Sequence, residues 1–129
     1  MSLGAANFGS PESSMTSPDG AAWTSFPSAV PAGTWAGLAF GASVYAGVHQ
    51  DGSNSHTTSS ADGQTWASNS VTSSNDCNRV RFLNSLFIAC RNDSATSTGQ
   101  VILTSAAGTS TWTLQTGSLP DSVWDVTFG

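Results

Sequence analysis

The sequence predicts an all-β chain built from a repeated unit of four short antiparallel strands, and three observations carry that reading. No window places apolar residues at i, i+3, i+4 and i+7 over three turns, so helical periodicity is absent. Short runs instead alternate apolar and polar residues between clusters of Gly, Asp, Asn, Pro and Ser. Two landmarks then recur in phase. Trp23, Trp66 and Trp112 stand 43 and 46 residues apart, and Phe40, Phe82 and Phe128 stand 42 and 46 apart. Two unrelated landmarks holding one period define a repeat.

Taken in order, the chain enters its first unit part-way. Residues 3–8 match a second strand, 13–17 a third and 22–25 a fourth. The middle unit is complete, with strands at 36–40, 44–48, 56–60 and 65–68. A polar loop, His49-Gln50-Asp51-Gly52-Ser53-Asn54, divides its second strand from its third. In the third unit the stretch 78–83 and then 86–89 form a hairpin, and Ser105 to Trp112 repeat the turn before the fourth strand. Residues 123–129 supply one further first strand, because Val126-Thr127-Phe128-Gly129 aligns with Leu38-Ala39-Phe40-Gly41 and Val80-Arg81-Phe82-Leu83. The units are therefore about 1–34 completed by 123–129, 35–77, and 78–122, within a single domain.

Four antiparallel strands in roughly 40 to 45 residues is the size of one β-propeller blade. Three blades fall short of the usual ring of about four to eight, and an unpaired terminal strand is an edge that invites pairing. The expectation is a homodimer of six blades, in which residues 123–129 of each copy join the sheet begun at 3–8 of the other. Two-fold symmetry makes that exchange reciprocal. The competing expectation is a piece cut from a longer single-chain propeller.

Composition narrows the partners. Only 9% of the 129 residues are charged, lysine is absent, and the formal net charge is −5. Neutralising phosphates needs a basic surface, so nucleic acid is not an expected partner. No apolar run reaches the roughly 18 to 20 residues of a membrane helix, and no signal-peptide pattern is present, so no membrane partner is expected and the compartment stays open. Cys77 and Cys90 flank the 78–89 hairpin. They read either as a cross-strand disulfide, if their Cα atoms fall within about 7 Å, or as two small buried hydrophobes.

The turn closing the third strand has the form Ser-x-Asp-Gly-x-Thr-Trp. It is complete at Ser60, Asp62, Thr65 and Trp66; at Ser17, Asp19 and Trp23 it has Ala22 in place of Thr. From Ser105 to Trp112 it is one residue longer and carries Ala107 where Asp is expected. The pattern resembles the Asp-box, or BNR repeat, of sialidases and many other β-propellers, and with the intervening strands the likeness covers essentially the whole chain. The resemblance implies a structural role for all of these residues, at the blade rim and away from any ligand face. There the Asp bonds nearby backbone amides and the Trp packs between sheets. Trp112 is expected to hold its turn less firmly, since Ala107 accepts nothing.

Sialidase chemistry does not follow from the box. It would require an arginine cluster, a Tyr nucleophile paired with Glu, and an acid Asp. Tyr45, the one tyrosine, aligns with Phe87 in an apolar strand, and Glu12, the one glutamate, reads as a loop residue after Pro11. Arg79 and Arg81 align with Gly37 and Ala39, so they are no repeated anion clamp; they read as a polar channel wall pairing with Asp125 or Asp76. No pair of carboxylates is marked for glycoside hydrolysis, and the chain is expected not to be an enzyme.

Binding residues are sought on the loops between strands two and three and those entering the next unit, which share one face and are long: 25–34, 49–55, 69–77, 91–99 and 115–122. Candidates there are Trp35 and Trp124, placed to stack on a sugar or to pad the blade interface, with His49, Asp51, Arg79, Arg81 and Arg91. His49, Asp51 and His56 have no recognised metal-ligand spacing and read as a solvated polar loop; no metal or cofactor is expected. The function expected is a non-catalytic binding or interaction propeller for carbohydrate or protein. The alternatives are a fragment or relative of a sialidase-type glycoside hydrolase, and a structural repeat of a phage or surface assembly.

Overall fold

The computed structural model describes residues 2–3, 12–51, 54–70, 77–91, 102–109, 111–115 and 125–127. Within them the chain forms three antiparallel sheets and no helix. No helix is therefore long and apolar enough to cross a membrane.

The first sheet contains β1 (Ser2–Leu3), β2 (Glu12–Thr16) and β3 (Thr24–Val30) in sequence order. The second contains β4 (Thr34–Gly41), β5 (Val44–Asp51), β6 (Asn54–Ser60) and β7 (Ala67–Ser70). The third contains β8 (Cys77–Leu83), β9 (Leu86–Arg91), β10 (Ile102–Ser105) and β11 (Thr113–Gln115). Each sheet is a meander, and its boundaries recur with the period of the Trp and Phe landmarks.

Two hairpin turns show how closely the units match. Ala42-Ser43 and Asn84-Ser85 all have positive φ, between 47° and 62°. Positive φ at both central residues is the type I′ geometry, whose twist suits a two-residue hairpin. Both first hairpins carry a register shift at the same place, between Trp35 and Gly37 in one and Cys77 and Arg79 in the other.

The second and third sheets stack face to face. Their core joins Ala46 and Val48 of β5 to Val80, Phe87, Ala89 and Leu103 of the third sheet, with Cys77 also buried and Trp112 packed against the cluster. Strands β4 and β8 lie side by side at one end of this stack. There a Cβ at Gly41 would overlap the Phe82 ring, so glycine lets the ring lie flat on the neighbouring sheet. The first sheet is tied to the turn after β6 of the second: buried Ser14 of β2 donates its Oγ–H to the Gly63 carbonyl at 2.8 Å.

Several sequence expectations are corrected. Strand β5 runs through Asp51 and β6 starts at Asn54, so His49 and Asp51 are strand residues rather than members of a six-residue polar loop. Strand β3 occupies most of the expected 25–34 loop, and β7 begins at Ala67 rather than 65. Glu12 opens β2 instead of lying in a loop. Most of the expected strand at 123–129 lies outside the described residues, of which 125–127 are in irregular backbone. The expected loops at 69–77, 91–99 and 115–122, and the first-unit strand at 3–8, lie mostly outside the described residues. Of the two readings of Cys77 and Cys90, the structure has the second: both are buried and not joined in a disulfide.

Candidate functional site

The Asp-Gly turns show how their residues are used. In the turn at Ser60–Trp66, Asp62 Oδ1 accepts the backbone N–H groups of Gln64 and Thr65 at 2.8 Å each, and the Ser60 hydroxyl at 3.0 Å. The Gly63 N–H donates to Ser60 Oγ at 2.8 Å, and Trp66 Nε1–H donates to the Gly63 carbonyl at 3.2 Å. The turn at Ser17–Trp23 repeats all five bonds, with Ala21 and Ala22 donating to Asp19. Gly20, Gly63 and Gly108 all take positive φ, which glycine adopts without strain. These amide bonds hold both aspartates below the usual carboxylate range, led by Thr65 for Asp62 and by Ala22 for Asp19.

The third turn keeps one of these bonds, Gly108 N–H to Ser105 Oγ at 3.0 Å. Trp112 Nε1 is buried without a hydrogen-bond partner.

A second constellation lies on one face of the second sheet. By pleat alternation, Ala46 and Val48 face the third sheet while Tyr45, Gly47 and His49 face the other way. The Trp35 ring covers Gly47, where a Cβ would come within 2.6 Å of it. Trp35 stacks on His49 with ring centroids 4.7 Å apart, and His49 stacks on His56, its cross-strand partner, at 5.0 Å. Trp66 meets Trp35 edge-on at 5.8 Å, and Trp35 Nε1–H donates to the Pro31 carbonyl at 3.2 Å. His49 is 2% exposed, and its Nδ1 lies 2.9 Å from Thr58 Oγ1.

Burial, reinforced by the neighbouring His56 and opposed by Asp51, lowers the His49 pKa to about 4, so the ring is neutral at pH 7. His56 Nε2 stands 2.9 Å from Asp51 Oδ1, a close approach without hydrogen-bond alignment. This arrangement corrects the reading of His49, Asp51 and His56 as a solvated loop. The stacked rings present their faces, not convergent nitrogens. Among the described residues no group of three or more His, Cys, Asp or Glu could hold a metal.

The cationic candidates divide. Arg81 of β8 clasps Asp125 through two bonds, Nε–H to Oδ1 at 3.0 Å and Nη2–H to Oδ2 at 2.6 Å. This is the pairing with Asp125 that the sequence suggested. Arg81 lowers the Asp125 pKa to about 2, helped by the Val126 amide. The exposed Arg79 adds to the positive charge around Asp125. Arg91 closes β9, but its side chain lies outside the described residues, as does all of Trp124.

Tyr45, half-buried, tilts against Phe40 at 4.6 Å. Glu12 belongs to a different sheet from Tyr45. The ring contact gives Tyr45 a packing role.

No protein-family model and no curated protein matches this chain. Its chemistry is read from its own residues.

The candidates that come together are Trp35, His49 and Asp51, joined by His56, Thr58 and Trp66, and the pair Arg81–Asp125. Sequence reasoning missed the exposure of Phe40, Met15 and Trp23, which are 58%, 37% and 42% exposed.

Proposed function

We propose that this chain supplies three Asp-box blades of a β-propeller and acts as a non-catalytic interaction module that closes into a ring with other copies of itself. The observation that carries the reading is the five-bond turn, made with the same partners at Ser17–Trp23 and Ser60–Trp66 and joining the last two strands of the first and second sheets alike. Both turn aspartates are committed to backbone amides, and Tyr45 is packed against Phe40. The most regular residues of the chain thus serve the scaffold. Ligand recognition is assigned to the connections opposite the two-residue hairpin turns at 42–43 and 84–85, and the partner class is carbohydrate or protein.

A glycan array probed with the assembled protein tests this. Selective retention of a sugar class supports a carbohydrate-binding module, whereas no binding at millimolar sugar removes carbohydrate as the partner. A fluorogenic sialoside assay is expected to show no turnover. Turnover abolished by Tyr45→Phe would overturn the non-catalytic reading.

A further inference from the structure

We infer that the backbone at Asp19–Gly20 is a site of spontaneous modification, cyclising to a succinimide and reopening as isoaspartate, while the matching bond at Asp62–Gly63 is held against the same reaction by the fold.

The reaction has a fixed course. The backbone nitrogen of the residue after an aspartate attacks the side-chain Cγ. The N–Cγ bond forms, the Cγ–O bond breaks, and the nitrogen's proton leaves with the oxygen as water. Water then reopens the ring at either carbonyl. Opening at Cγ restores aspartate, and opening at the backbone carbonyl routes the chain through the side chain as isoaspartate. Glycine favours the attack because it has no Cβ to hinder it. Asp-Gly occurs at both turns, and also at Asp51–Gly52, whose glycine lies outside the described residues. The acid form of the carboxyl is the one that loses water, and backbone amides lower the pKa of Asp19 and Asp62 alike. Charge therefore slows both turns and does not choose between them.

In both turns the reacting groups are engaged elsewhere. Gly20 N–H donates to Ser17 Oγ and Gly63 N–H to Ser60 Oγ, each at 2.8 Å. Oδ1 of each aspartate accepts two amides further along the chain. Cyclisation needs both sets of bonds released, so its rate follows the population of the opened turn.

The two turns differ in what holds them closed. Gly63 is buried, and its carbonyl accepts from Ser14 of the first sheet at 2.8 Å as well as from Trp66 Nε1 at 3.2 Å. Ser60 is buried, and Trp66 is braced edge-on by Trp35 at 5.8 Å. Opening this turn disturbs a tie to another sheet. In the other turn, residues 19–23 are all exposed, and a Cβ at Gly20 would meet nothing within 4 Å. Its five bonds run within the turn itself and all lie at the surface. Surface hydrogen bonds with little packing around them mark a segment that opens at low cost.

The product does not suit the turn it came from. Isoaspartate adds a methylene to the backbone and sets its carboxylate directly on Cα, so the oxygen that collects Ala21 and Ala22 is moved off them. Modification at Asp19 unties the first turn and leaves the second intact.

Peptide mapping by mass spectrometry, with fragmentation that separates isoaspartate from aspartate, tests this on the full chain aged in dilute neutral buffer. Isoaspartate is expected to accumulate several-fold faster at residue 19 than at residue 62, and the two rates should converge when the chain is aged in denaturant. Ser14→Ala, which removes the tie on Gly63, should raise the rate at residue 62 several-fold and leave residue 19 unchanged. Equal rates in the folded wild-type chain would overturn the assignment. A native ratio no different from the denatured one would also overturn it, because local sequence and not the fold would then set the rates. This wild-type comparison decides the matter even where Ser14→Ala fails to fold. A folded Ser14→Ala chain with residue 62 as slow as before would remove Ser14 as the guard.

Discussion

Asp62 and His49 show how individual residues are used. Asp62 collects two backbone amides and a hydroxyl on one oxygen, organising a turn that apolar packing cannot hold. Asp62→Ala is expected to lower the denaturant midpoint. Asp62→Asn, which keeps an acceptor oxygen, should lower it less; equal losses in the two variants would remove the acceptor role. His49 makes a prediction about pH. Its folded pKa of about 4 lies below the 6.5 of the free side chain, so the unfolded chain binds the extra proton first. The stability due to a neutral His49 is fully present above pH 6.5, falls as pH drops through 6.5, and is gone by about pH 4. The span is up to about 3 kcal/mol. Chemical denaturation at pH 7 and pH 4.5 should show this loss, and His49→Gln should flatten it. An unchanged pH slope in that variant would refute the assignment.

At the level of strands and turns, the alternation and the landmarks made the meander legible, and Val44 and Leu86 as starts of second strands emerged from the apolar pattern alone. The ends of strands did not. His49, Gln50 and Asp51 are polar and read as a loop, yet they continue β5 because Trp35 and His56 provide stacking partners that make a polar strand end worth burying. Such partners are distant in sequence, and no local pattern announces them. The Trp35–His49–His56 stack was invisible for the same reason, whereas the Arg81–Asp125 pair was readable because alignment placed both residues on first strands.

The repeat also exposes a defect. Ser14 and Thr57 are equivalent positions three residues before the turn serine, but only Ser14 finds a neighbouring carbonyl, and Thr57 Oγ1 is buried without a partner. Thr57→Val keeps the shape and removes the stranded hydroxyl, so it is expected to raise stability by roughly 1 kcal/mol. A clear loss in an equilibrium unfolding curve would show that the hydroxyl is satisfied.

For the whole molecule, the three turn tryptophans form a graded series. Trp112 packs against the core shared by the second and third sheets, Trp66 is half-buried and meets Trp35, and Trp23 is 42% exposed. The gradient follows position in the stack, because Trp23 belongs to the sheet with no described neighbour on its outer side. Local chemistry does not explain it, since Trp23 and Trp66 make the same indole bond at the same 3.2 Å. If the ring closes as proposed, Trp23 and Met15 enter an interface like the one that holds Trp112. Trp23→Asp should then halve the mass seen by light scattering and lower the melting temperature, while Trp23→Phe should preserve both. The wild-type melting temperature should rise with protein concentration, as mass action requires when only the folded chain associates. A melting temperature independent of concentration, with Trp23→Asp silent in mass, would mean that the indole is a surface aromatic and the stack ends where the chain does.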